Sequence, residues 1–162
     1  MKIKLLAIVM LTAIAATGCL KDSKQPVTHI NDVNIALTGT WTATSGTIKY
    51  YDANNNQVYS ENAPAYTFRF DGNSTLYIST PEIAMTEDYS ITTADNADYV
   101  NTTGVAIGNH RYAISLLQAR NLKLTEKVNY PEGSTLTVGS NIINFFSTVQ
   151  VTNYQKKDAP QN

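Results

Sequence analysis

One thiol, two imidazoles and scattered carboxylates are the side chains of this 162-residue sequence whose types suit chemistry. Cys19 is the single cysteine, so no internal disulfide can form. A free thiol exported to an oxidising compartment is a liability unless it is modified. His29 stands in a polar N-terminal stretch, which leaves His110, between Asn109 and Arg111, as the base near neutral pH within the strand-rich part. No nucleophile elbow surrounds any serine. Glu87 and Asp88 are adjacent, and a strand would send them to opposite faces, so they form no local carboxylate pair. Asp52-x-Asn54-x-Asn56 has the alternating oxygen ligands of the first half of a calcium loop. However, Gln57 occupies the position that needs glycine for the sharp turn, and Ala63 the position of the bidentate glutamate. Asn and Asp in such a run also make hairpin turns by bonding their own backbone. There is no His/Cys metal spacing and no phosphate-binding glycine loop. The sequence therefore reads as a non-enzyme with no cofactor and no metal, whose reactive group is Cys19.

The segment before that cysteine explains it. Lys2 and Lys4 precede an apolar run over residues 5–16, broken only by Thr12 and ending in small residues. It is about half the length a membrane-spanning helix needs, so residues 1–18 read as a secretory signal peptide. Ala16-Thr17-Gly18-Cys19 resembles a lipobox, which implies that Cys19 is acylated and becomes the first mature residue. Two or three acyl chains anchor a protein stably where one binds marginally. The expectation is a lipid anchor in the outer membrane, on its periplasmic or outer face, with the membrane as partner. Without residues 1–18, 10 basic face 13 acidic side chains, a net charge of −3. That balance is too mild and too scattered for a nucleic-acid partner.

Residues 20–36 are polar, include Pro26, and show neither helical nor alternating periodicity, so 19–36 reads as the lipidated cysteine and a flexible tether. As a coil such a tether would hold its ends roughly 20–25 Å apart. A single domain is expected over 37–157, followed by a disordered tail at 158–162. With ten tyrosines, 18 of the chain's 21 threonines, and Asn, Asp and Gly collected between apolar runs, this stretch favours strands. Residues 40–51 predict a long first strand, bulged near Gly46 because Trp41 and Ala43 share one parity while Ile48 and Tyr50 share the other. Tyr66, Phe68 and Phe70 alternate with Thr67 and Arg69 ahead of Asp71-Gly72, the strongest hairpin signal present. Two or three strands are expected over 84–107, a hairpin over 111–130, and a long last strand over 142–154. Eight to ten antiparallel strands without a convincing helix predict an all-β fold, a single meander barrel with a β-sandwich as the alternative.

Gly39-Thr40-Trp41, at the head of the first strand, resembles the G-x-W signature of lipocalins and of the lipocalin-like lipoproteins of Gram-negative bacteria. The resemblance implies an antiparallel barrel whose floor is closed by Gly39 and Trp41. It also implies a basic side chain from a late strand across the indole, with Arg111, Arg120 and Lys156 as candidates. Tyr66, Phe68, Phe70, Leu76, Ile78, Tyr112, Ile114, Leu122, Leu124, Phe145 and Val149 are expected inside. Of these, Tyr66, Phe68, Phe70, Tyr112, Leu122, Leu124 and Phe145 are the candidate ligand contacts. The implied function is binding or carriage of a small apolar molecule in the interior. The alternative is a barrel without a cavity that contacts a protein or glycan through its surface. Inward rings that fill the interior favour the second, and an emptied interior the first.

Overall fold

The computed structural model describes residues 30–104 and 108–158. A short helix, α1 (Ile30–Leu37), leads into strands β1 (Gly39–Tyr51), β2 (Gln57–Asn62), β3 (Thr67–Phe70), β4 (Thr75–Ser79), β5 (Ala84–Ala94) and β6 (Ala97–Thr103). They are followed by β7 (His110–Leu117), β8 (Asn121–Asn129), β9 (Thr135–Val138), β10 (Asn141–Asn144) and β11 (Ser147–Lys156). The main sheet runs β11-β8-β7-β6-β5-β4-β3-β1, and β11 pairs back onto β1. Eight antiparallel strands thus close into a meander barrel, which removes the sandwich alternative. Closure leaves β2 as an added ninth strand.

The first and last strands seal the barrel along their whole length, from Trp41↔Lys156 to Tyr51↔Ser147. The register slips between Ala43 and Ser45, so the expected bulge exists but lies ahead of Gly46. On its other edge β1 serves two partners in turn. Gly39 to Thr42 pair with β3, and Thr47 to Tyr51 pair with β2. Beyond the point where β3 leaves, β2, β1, β11 and β8 continue as a sheet extension. The β9–β10 hairpin, a separate two-stranded sheet, lies between β8 and β11 in the chain. The expected last strand over 142–154 is therefore two elements: Ile142 belongs to β10, and Phe145-Phe146 link it to β11.

Inward positions follow the period-2 alternation of strands. Phe68 and Phe70 on β3, Leu76 and Ile78 on β4, and Leu122 and Leu124 on β8 are all buried in one cluster with Trp41, Tyr89, Val100, Tyr112 and Tyr154. Val149 departs from the expectation. It lies between the buried Thr148 and the register that brings it beside Lys49 and Lys127, on the opposite parity from Thr152 and Tyr154.

Residues 30–36 also depart from the tether reading. They fold as α1, with Val33 and Leu37 buried in the core. Ile, Val and Asn are indifferent helix formers, and eight residues cannot hold a helix alone. Packing against the barrel supplies what propensity does not. Residues 19–29, including Cys19, and residues 159–162 lie outside the described structure. Asp158, expected in the disordered tail, accepts a 2.8 Å hydrogen bond from Arg120 Nη2 at the surface.

Candidate functional site

At the base, α1 is fastened to the barrel by side chains that satisfy its last carbonyls. The Trp41 indole N–H donates to Leu37 O at 2.6 Å, Thr38 Oγ1 donates to Asn34 O at 2.9 Å, and Lys156 Nζ donates to Ala36 O at 3.3 Å. The last turn of a helix leaves its carbonyls without intrahelical donors and favours a cation, so one lysine meets both needs. Asn34 ties the helix sideways: its Nδ2 donates to Gly72 O at 2.8 Å, and the Tyr89 hydroxyl donates to its Oδ1 at 2.5 Å.

Lys156 Nζ also lies 5.0 Å from the centre of the Trp41 ring. Among the three basic candidates the other two are occupied elsewhere. Arg111 stacks on Tyr99 at 3.9 Å, and Arg120 pairs with Asp158. Gly39 explains the first residue of the G-x-W triplet. Its φ is +126°, and a Cβ there would lie 2.7 Å from Lys156 Cε. Only glycine takes that backbone conformation without cost while leaving the lysine room to reach the indole.

Above this floor, rings cross the interior. Phe68 lies 5.2 Å from Tyr154, stacked at 23°, and 6.3 Å from Tyr112, so β3 touches β11 and β7 through the middle of the barrel. Phe70 meets Tyr89 edge-on at 5.0 Å. Tyr66 stacks on Phe68 at 6.2 Å and remains half-buried. Six of the seven expected interior contacts, Tyr66, Phe68, Phe70, Tyr112, Leu122 and Leu124, are thus brought together, and most of their surface is spent on one another. Burial holds the phenols of Tyr112 and Tyr154 well above the ordinary tyrosine range, with the Glu126 carboxylate adding to the effect on Tyr112.

Toward the opposite end the interior turns polar. His110 Nδ1 lies 2.7 Å from Glu126 Oε1, and the imidazole stacks on the Tyr112 ring at 5.5 Å and 13°. Glu87 is also buried, in the space that a side chain at position 104 would fill: a Cβ on Gly104 would lie 2.7 Å from the Glu87 carboxyl. Sequence alone did not bring Glu87 and Glu126 inside: each continues an apolar alternation, Met85-x-Glu87-x-Tyr89 and Leu122-x-Leu124-x-Glu126, but a carboxylate in such a phase is ordinarily solvent-facing.

Phe145, the seventh expected contact, is placed elsewhere. It packs edge-on against Tyr50 at 5.1 Å and Tyr130 at 4.9 Å in the sheet extension, outside the barrel core. The link after β10 reverses the chain there, so Phe145 never enters the in-out alternation of β11. Tyr50 donates to Glu61 Oε1 at 2.5 Å, and burial followed by that carboxylate raises its phenol above the ordinary range.

Beside Phe145 opens a cleft of about 340 Å³, lined by Asp52, Ala53, Glu132, Gly133, Asn144, Phe145 and Phe146. Its frame is fixed by backbone hydrogen bonds from Phe146 N to Tyr51 O at 2.7 Å, Tyr130 N to Phe146 O at 2.8 Å, and Phe145 N to Ser134 O at 3.0 Å. Asp52 accepts from Asn54 N, Asn56 N and Asn56 Nδ2 at 2.8 to 3.1 Å, which holds its carboxyl below the usual range. Those bonds make the run an Asx turn. Among the described residues no group of three His, Cys, Asp or Glu is gathered to hold a metal. A second groove, of about 400 Å³, lies where β2 and β3 part along β1, lined by small residues of 43–47 and 62–65.

Comparisons of the chain with protein-family models, with curated proteins and with solved structures found no match.

Proposed function

We propose that this chain is a lipid-anchored envelope protein of lipocalin type in which the barrel is a filled scaffold and binding takes place on its surface. The observation that carries the reading is Phe68, whose ring meets Tyr154 and Tyr112 across the interior where an apolar cargo would have to sit. An eight-stranded barrel is just wide enough to be filled by its own side chains or to hold one small ligand. Here rings occupy the lower half, and buried Glu87 and Glu126 make the upper half a poor surface for an apolar molecule.

The lipocalin resemblance is supported by Lys156, a basic side chain on the last strand lying across Trp41 at the closed end. Acylation at Cys19 and an outer-membrane address rest on the lipobox-like residues 16–19 and the apolar run before them. The ten residues between Cys19 and Ile30 would then place the closed base, with α1, nearest the membrane. The sheet extension and its cleft belong to the other end and would face away.

Thermal unfolding of the purified chain with and without fatty acids, haem and isoprenoids tests the filled-scaffold reading. The melting temperature is expected to stay in place with every apolar compound. A concentration-dependent rise with any one of them, following mass action, would restore the carrier reading.

A further inference from the structure

We infer that the cleft framed by Asp52, Glu132, Asn144 and Phe146 is a saccharide-binding site. The inference rests on the reading that binding takes place outside the barrel, and it names the chemistry of what is bound.

Four features of the cleft select the ligand. Phe146 is 42% exposed although its backbone N–H and C=O are both tied down, so an apolar ring is presented to solvent from a fixed backbone position. Glu132 and Asn144 flank it with a carboxylate and a carboxamide, and Asp52, whose carboxyl already accepts from Asn54 and Asn56, adds negative charge. No Lys or Arg is among the lining residues. The volume, about 340 Å³, is at the small end of the range for small-ligand sites. A pyranose offers what this surface lacks. Its C–H face covers an aromatic ring, and its hydroxyls donate to carboxylates, which make the stronger hydrogen bonds.

Other classes of ligand fit less well. An anionic ligand would meet two carboxylates without a cation to offset them. An extended peptide binds by adding a strand to free backbone groups. Here Tyr51 O, Phe145 N, Phe146 N and Phe146 O are already spent on internal hydrogen bonds. A purely apolar molecule would leave Asp52 and Glu132 desolvated. The groove between β2 and β3 is of similar size and has one carboxamide, Asn62, yet its lining provides neither a ring face nor a charge.

The test is amide chemical-shift titration of the isotope-labelled full chain with cellotriose, maltotriose, chitotriose and, separately, an extended lysine-containing peptide. A saturable shift with at least one sugar at Ala53, Gly133, Asn144 and Phe146 is expected. Phe146→Ala should weaken that sugar about tenfold, a typical loss for an anchoring aromatic. Glu132→Gln should weaken it less, and Ile142→Ala, on the neighbouring hairpin outside the lining, should leave it unchanged. Amides remote from the cleft report that each variant is folded. No saturable shift with any sugar, shifts centred elsewhere, an unchanged affinity in Phe146→Ala, or shifts with the peptide alone would overturn the inference. An apolar compound shifting amides around Phe68 and Tyr154 would instead sink the filled-scaffold reading, so the two failures are distinguishable.

Discussion

At the barrel base Phe68 meets Phe70 and Tyr154 ring to ring in one cluster with Trp41, and all four are almost wholly removed from water, whereas in the sheet extension Phe145 packs on Tyr50 and Tyr130 while Phe146 stays open. Both regions are rich in aromatic side chains, and the difference comes from how many strands converge on them. Around Phe68 the barrel is closed, and every ring is faced by another strand. Around Phe145 the ring partners are Tyr50 on β1 and Tyr130 just after β8, and the neighbouring Phe146 is exposed, so one side of the cluster ends in solvent. Aromatic content therefore marks core where the sheet closes on itself and leaves an exposed ring where the sheet runs past closure.

The largest effect that would test this contrast comes from truncating one ring in each region. Phe68→Ala should lower the unfolding free energy in urea by about 3–5 kcal/mol, the usual cost of emptying a closed core site. Phe145→Ala should cost roughly half as much, because part of that ring's surroundings is already water. Equal losses would break the contrast.

Next in size is the floor glycine. Gly39→Ala forces a side chain into a positive-φ conformation and against Lys156 Cε, and should cost about 1–3 kcal/mol. Replacing Lys156 by Ala in that background should recover the part due to the collision and leave the backbone strain, a separation that a double-mutant cycle reads directly. Lys156→Met alone removes the cation from Trp41 and from the end of α1, with an expected loss of about 0.5–1 kcal/mol.

The smallest effect near neutral pH is that of the phenols. Tyr50, Tyr112 and Tyr154 have raised folded-state values, whereas the unfolded chain ionises them near 10.0. Between those limits the unfolded state has released protons that the folded state retains. The associated stability is fully present below the unfolded value and is lost as pH rises above it. Tyrosinate absorbance should then show these phenols titrating only as the chain unfolds. Their titration alongside the exposed tyrosines in an intact fold would contradict the burial described here.

Much of the barrel was legible because its strands obey a local rule. Phe68 and Phe70 alternate with polar neighbours up to Asp71-Gly72, and the Asp71 carboxylate receives Asn73 N and Thr75 N in the turn that this pair forms. Leu122 and Leu124 are equally plain. α1 was not legible, since its burial of Val33 and Leu37 is a tertiary fact without enough helical periods to announce itself. Val149 and Phe145 misled for a related reason. Residues 142–154 look like one strand, but the link at Phe145-Phe146 between β10 and β11 resets the parity. Lys156 could not be told from Arg111 or Arg120 by spacing, because the choice depends on the β1–β11 register. The cleft was invisible for the same reason: its walls come from residues 52–53, 132–133 and 144–146, which the closure of β1 on β11 brings together.

The central claim, that the barrel interior is occupied by the protein itself, is tested most directly by native mass spectrometry of the chain purified from the bacterial envelope. The account predicts a mass corresponding to the polypeptide with any covalent modification it carries, with no further small molecule held. A discrete apolar adduct that survives purification, and that disappears when Phe68 is replaced by Trp to crowd the interior, would contradict it.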